Sequence, residues 1–416
     1  MPDGLSSWQR FPQGRRTAIV TPMALHLLAA LVLLGQEPPR IELEDLSGKV
    51  TVLDAARLPL TDPRQLDAWI LRPVGYPEPD AEARTAPQVV VELAGGDELR
   101  GRIRGGSGES LELELMGGVV LPIDVSSFVA LDVPERIPVE RRNALEPAAE
   151  GDRLYRRTGS TLDAIDGAVE GFSAEGVRFD SVLGSKTFVW GEVAALRIES
   201  LGGAAKKGGA EGVPVRIDLL DGSRLGGALK SVDAERCTLV VAGTRELALP
   251  LSAIAELTVA DGRLRYLSDE KPVAETGKGA PFGDDLGLTW PHRMDANALG
   301  GALRSGGRTY RRGIGMHAPS ALSFALEGKP CVLRGAVAID DGARVNAPEA
   351  RGAVVFRLKK DGALLWESPL VRGGDAPLAI PDLDLAGGKE LVLEVDPAGD
   401  FAGDRANWLG VRLVCR

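Results

Sequence analysis

The chain has 416 residues, of which 52 are glycine, 44% hydrophobic, 26% charged and only 5% aromatic; this suits a globular chain and excludes wholesale disorder. The glycines show no three-residue period, which excludes collagen, and their scatter among Val, Leu and Ile favours short strands and turns over long helices. Net charge is −10, and no segment carries the basic surplus that binds phosphate backbones, so nucleic acid is not an expected partner.

In chain order, residues 23–34 form an apolar run preceded by Arg15 and Arg16 and followed by Gly35-Gln36-Glu37-Pro38. Twelve residues are too few for a comfortable membrane span, so 1–36 reads as a signal peptide or N-terminal anchor. A secreted or periplasmic/cell-envelope location follows, with membrane contact only through that segment if it stays uncleaved. Residues 37–86 are rich in proline and acid, with one short β unit expected at 40–60.

Three β units follow, at 87–135, 151–200 and 213–269. Val89-Val90-Val91-Glu92-Leu93 leads into Gly95-Gly96-Asp97, and Val215-Arg216-Ile217-Asp218-Leu219 leads into Asp221-Gly222. Each pattern is strand, acidic-glycine turn, strand. Five short alternating strands per unit predict small barrels. The Leu121-Pro122-Ile123 and Leu249-Pro250-Leu251 strands, each followed by a short turn into a last strand, resemble SH3-like and Sm-like barrels. RNA binding, which the Sm-like resemblance implies, conflicts with the acidic balance. Docking of protein partners is the role expected instead. Charged or glycine-rich linkers are expected at 134–151, 201–212 and 271–283.

Residues 282–416 alternate in period two between Gly and Asp turns, which predicts an antiparallel β-sandwich. The fold class is therefore all-β: barrel repeats, then a C-terminal sandwich. Of the three cysteines, Cys331 and Cys415 both lie here. Three small buried hydrophobes is the reading preferred for the set, and one Cys331–Cys415 bridge the alternative. The run Gly313-Ile314-Gly315-Met316-His317-Ala318 has dinucleotide-fingerprint spacing, but Pro319 closes it where a helix should open. No P-loop, Gly-x-Ser-x-Gly or His-Glu-x-x-His occurs, and nothing marks a carboxylate pair for glycoside hydrolysis, so an enzyme is not expected.

Several ordered motifs in this segment resemble the NPCBM family of carbohydrate-binding modules. They are Tyr310-Arg311-Arg312-Gly313-Ile314-Gly315-Met316-His317-Ala318, Asp340-Asp341 after a central strand, the Phe356 strand with its Asp361-Gly362 hairpin, and Asp404-Arg405-Ala406-Asn407-Trp408. That family is similar to carbohydrate-binding module family 51 and to galactose-binding-like jelly rolls, and often accompanies glycoside hydrolases. The resemblance implies a jelly roll that binds carbohydrate or glycoconjugate without catalysis. The insert 344–350 and the closing strand Gly410-Val411-Arg412-Leu413 depart from the family pattern. The alternative function is a structural protein that docks protein partners, or an accessory part of a glycoside hydrolase system.

Sugars are held by aromatic faces and a few fixed polar groups on loops. The candidate carbohydrate-binding residues are Trp290, Tyr310, Arg311, His317, Asp340, Asp341, Asp404 and Trp408. Structural roles stand beside these: His317 bonding the backbone, Asp340-Asp341 forming a turn, Asp404 and Trp408 locking the last loop. Trp366 reads as core. No cofactor is expected beyond Ca²⁺, for which Asp396, Asp400 and Asp404 recur at every fourth position but lack EF-hand order.

Overall fold

The structure is a computed structural model that describes residues 39–76, 89–107, 109–138, 145–199, 211–241, 245–277, 290–343, 352–399 and 402–415. The expected signal segment, most of the 201–212 spacer, the 344–350 insert and Asp400 lie outside the described residues. Regular structure among the described residues is β-strand and short 3-10 turns, an all-β fold. The Gly-x-Gly-x-x-Ala run lies in a strand, Gly313–His317, rather than opening a helix.

The first unit runs through Val89–Leu93, Glu98–Gly106, Ser110–Glu114 and Val120–Asp124 as consecutive antiparallel neighbours. Its fifth strand, Phe128–Asp132, returns to pair with the first. The second unit, from Asp152–Thr158 to Val193–Arg197, and the third, from Val213–Leu219 to Ile254–Val259, repeat this connectivity. Strict alternation builds each one. In Arg236–Val241, Cys237, Leu239 and Val241 point into the core while Arg236, Thr238 and Val240 do not.

The first and third units meet about a local twofold. Their hairpins close identically: Leu93 N–H donates to the Asp97 carbonyl and Leu219 N–H to that of Ser223. Gly96 (φ 85°) and Gly222 (φ 91°) supply the left-handed turn residue. The Asp97 carboxylate then accepts from Gly226 N–H at 2.9 Å, and reciprocally the Ser223 hydroxyl accepts from Arg100 N–H at 2.9 Å. Glu98 pairs with Arg224 between the two contacts. The second unit joins the first by strand pairing, Leu131 against Leu196.

The N-terminal β region is larger than expected. Arg40–Glu44 pairs with both Val50–Asp54 and Ile70–Val74, and the last of these pairs with the third unit, Leu71 opposite Leu257.

The C-terminal part is a two-sheet sandwich. One sheet holds Arg293–Met294, Gly313–His317, Arg405–Cys415 and Cys331–Ile339. The other holds Ala274–Thr276, Ser320–Ala325, Glu390–Pro397, Ala353–Lys360 and Ala363–Glu367. Met316, Phe324, Phe356, Leu393 and Trp408 fill the space between them. The sandwich starts earlier than the sequence suggested. Leu264–Tyr266 pairs with the last strand, and Ala274–Thr276, within the expected 271–283 spacer, is an edge strand. Cys331 and Cys415 sit opposite one another in register and form a disulfide across 84 residues, which corrects the preferred reading of three free thiols. Cys237 is free and buried, as expected.

A buried charge network joins the sandwich to the third unit. Arg312, 4% exposed, bonds Asp218 at 2.7 Å and Asp269 at 2.9 Å and lies 3.3 Å from Asp295. Arg224 bridges Asp218 and Asp295, and Arg216 bonds Asp269 at 2.8 Å. A second branch links Glu44 to Arg72 and Arg412, and Arg72 to Glu256 at 2.8 Å. The Tyr266 hydroxyl donates to Glu256 at 3.1 Å, and the Arg312 guanidinium lies over the Tyr266 ring. Five carboxylates meet five guanidiniums. Each buried charge is therefore paired, which burial of ions requires.

Candidate functional site

Register fixes one face of the sandwich sheet. Ile314 and Met316 point into the core, so Gly313, Gly315 and His317 point away from it. Arg293 lies opposite Gly315, and Arg405 opposite His317, so both share that outer face. The 295–312 excursion covers most of it: a Cβ on Gly315 would fall 2.4 Å from the Ala296 carbonyl oxygen. The end around His317 carries Trp290 instead.

Trp290 is half-buried, and its indole stacks on the His317 imidazole with centroids 4.0 Å apart and planes 23° apart. His317 is buried and its Nδ1 lies 2.8 Å from the Ala318 carbonyl oxygen, which places the proton on Nδ1. Burial, reinforced by the Arg405 charge and opposed by that backbone bond, lowers its pKa below the usual histidine value. The neighbouring backbone is pinned as well. His292 N–H donates to Glu275 at 3.1 Å, and His292 Nδ1 lies 2.8 Å from the same oxygen. The indole is thus backed by the His317 ring, and the chain two residues on is tied by His292 to a carboxylate on the opposite sheet.

The other expected residues have different surroundings. Asp340 is 2% exposed and accepts four donors: Gly342 N–H (2.9 Å), Asn407 Nδ2 (2.9 Å), Arg304 N–H (3.2 Å) and Asn297 Nδ2 (3.3 Å). Asp341 accepts Gly306 N–H at 3.0 Å and Gly307 N–H at 2.9 Å, closing the hairpin whose two glycines have φ of 61° and 74°. Both carboxylates therefore organise the covering excursion. Asp404 is fully buried and accepts Ala353 N–H at 2.8 Å. Trp408 has no exposed surface and meets Phe356 edge-to-face at 5.0 Å, so its ring belongs to the core and offers no face to a ligand from solvent. Tyr310 packs on Leu303, Ala338 and Leu409 beneath the hairpin. Arg311 is exposed, whereas its neighbour Arg312 is the buried centre of the charge network. Trp366 packs against the core from an edge strand.

The spacing that suggested Ca²⁺ is not realised by the described carboxylates. Asp396 bonds Arg357 at 2.7 Å while Asp404 bonds Ala353, and no group of three His, Cys, Asp or Glu side chains fit for a metal occurs among the described residues. Sequence reasoning missed the Glu275–His292 pair and the placing of Arg293 and Arg405 on the sheet face of His317. Arg405 stood inside a quoted motif, but only strand register reveals that it faces His317.

Residues 265–414 match the family described as NPCBM/NEW2 domain. The chain is 35% identical over 121 residues to an alpha-1,3-galactosidase B of Akkermansia muciniphila. It is 30% identical over 121 residues to an endo-alpha-N-acetylgalactosaminidase assignment in Renibacterium salmoninarum. These matches take in 28% and 29% of this chain but only 14% and 8% of those relatives. Among solved structures, CBM51 from Clostridium perfringens GH95, in complex with methyl-galactose, is similar at 22% identity and a TM-score of 0.30, covering 36% of this chain and 99% of that one.

Proposed function

We propose, from the premise that residues 265–414 match the NPCBM/NEW2 domain family, that this protein is a non-catalytic binder of carbohydrate or glycoconjugate whose contact surface is built on Trp290. The carrying observation is the indole backed by the His317 ring, on a chain segment that His292 ties to Glu275. A sugar ring stacks on such a face with little ordering left to lose, and preorganisation of this kind raises affinity. Of the residues expected from sequence, Trp290 and His317 belong to this surface, while Asp340, Asp341, Asp404 and Trp408 support the fold beneath it. The test is a glycan array probed with the full chain and with Trp290→Ala. Saturable binding by the parent and its loss in a variant with unchanged circular dichroism supports the reading. A folded parent silent on every glycan overturns it.

We infer a location outside the cytoplasm. The Cys331–Cys415 disulfide persists in oxidising compartments, and the apolar run at 23–34 suits export. Fractionation of producing cells, with thiol alkylation of the isolated protein, tests both together: a cytoplasmic pool with reduced thiols would contradict the inference.

A further inference from the structure

Two arginines lie on the sheet face that carries His317, on which Trp290 stacks. Arg293 and Arg405 flank His317 on the same sheet face, one strand to each side. Arg293 lies opposite Gly315 and Arg405 opposite His317, so two strand spacings of about 4.8 Å and a stagger of two residues put their Cα positions roughly 12 Å apart. Arg293 is exposed, and no carboxylate among the described residues pairs with it. Arg405 is half-buried and donates from one terminal nitrogen to the Gly342 carbonyl at 2.7 Å, with no carboxylate partner among the described residues either. The nearby carboxylate, Glu275, is turned to His292. Burial and the Arg405 charge lower the pKa of His317.

We propose that the saccharide held at Trp290 is anionic, carrying a carboxylate or a sulfate ester that Arg293 and Arg405 engage while the sugar ring stacks on the indole. A guanidinium presents a planar fork of donors suited to both oxyanions, and hydrogen bonds between ionised groups are the stronger kind. This rests on the carbohydrate reading above and narrows its ligand class.

The experiment is calorimetric titration of the full chain with lactose, sialyllactose and sulfated lactose at low and high NaCl. We expect the charged sugars to bind about tenfold more tightly than lactose at low salt, with the gap narrowing as salt rises. The carboxylate and sulfate arms identify which oxyanion is preferred. Arg293→Gln should remove most of that gap, weakening the charged sugars far more than lactose. Because Arg293 is exposed and without an ion pair, this variant tests the idea even if Arg405→Gln disturbs the Gly342 loop. Equal affinity for lactose and both charged derivatives would overturn the anionic assignment and leave carbohydrate binding standing. Failure of all three to bind, alongside a silent glycan array, would overturn both.

Discussion

His317 shows how one side chain serves two ends. Its ring supports Trp290, and its Nδ1 proton is committed to the Ala318 carbonyl. Burial lowers its pKa, with help from Arg405, so below the ordinary histidine value of about 6.5 the unfolded chain takes up a proton that the folded chain refuses. Stability therefore falls as pH drops through that window toward the lower folded value, by at most about 1.4 kcal/mol per pH unit. Urea titrations between pH 7 and 5 should show this slope, and His317→Gln should flatten it; an identical slope in the variant would mean the imidazole titrates freely. Trp408 teaches the opposite lesson. An aromatic residue in a recognisable motif is equally a ligand platform or a core residue until its strand neighbours are known. Its place opposite Val337 and Ile314 puts it inside.

Strands and turns were the legible part of the chain. The matched turns at Asp97 and Asp221-Gly222 mark two units of one design, and alternation gave their strands. What the pattern lacked was pairing between units. Short strands such as Leu264–Tyr266 and Ala274–Thr276 are too brief to carry a period, and their allegiance comes from the partner strand rather than from their own residues. The charge network was illegible for the same reason: Arg312 and Asp218 lie 94 positions apart. The disulfide ties the first residue of one central strand to the penultimate residue of the chain. Closing 84 residues stabilises the fold by on the order of 4–5 kcal/mol in the chain-entropy account. The double variant Cys331→Ala/Cys415→Ala should lower the urea midpoint accordingly. A shift of under about 1 kcal/mol would show that the paired strands alone already fix these ends.

At the scale of the whole molecule, the sandwich meets the third unit through paired ions and through Leu264–Tyr266, a strand of the sandwich sheet whose Leu264 and Tyr266 side chains pack in the core of the β units. Removing Arg312 leaves Asp218, Asp269 and Asp295 gathered with one cation fewer, although Arg224 and Arg216 remain. Arg312→Ala should cost about 3–5 kcal/mol, as breaking buried pairs does. It should also split thermal unfolding into two calorimetric transitions, one for the five-stranded units and one for the sandwich. A single transition at the original temperature would show that the junction is held by other contacts. The disulfide has a further meaning at this scale. Cys331 and Cys415 make the chain between them a covalent ring, and that ring holds Phe356, Leu393 and Trp408, the centre of the sandwich core. A protease that nicks one peptide bond inside the ring releases nothing, because both new ends remain tethered through sulfur. After such a cut the sandwich core would stay assembled on a backbone already broken.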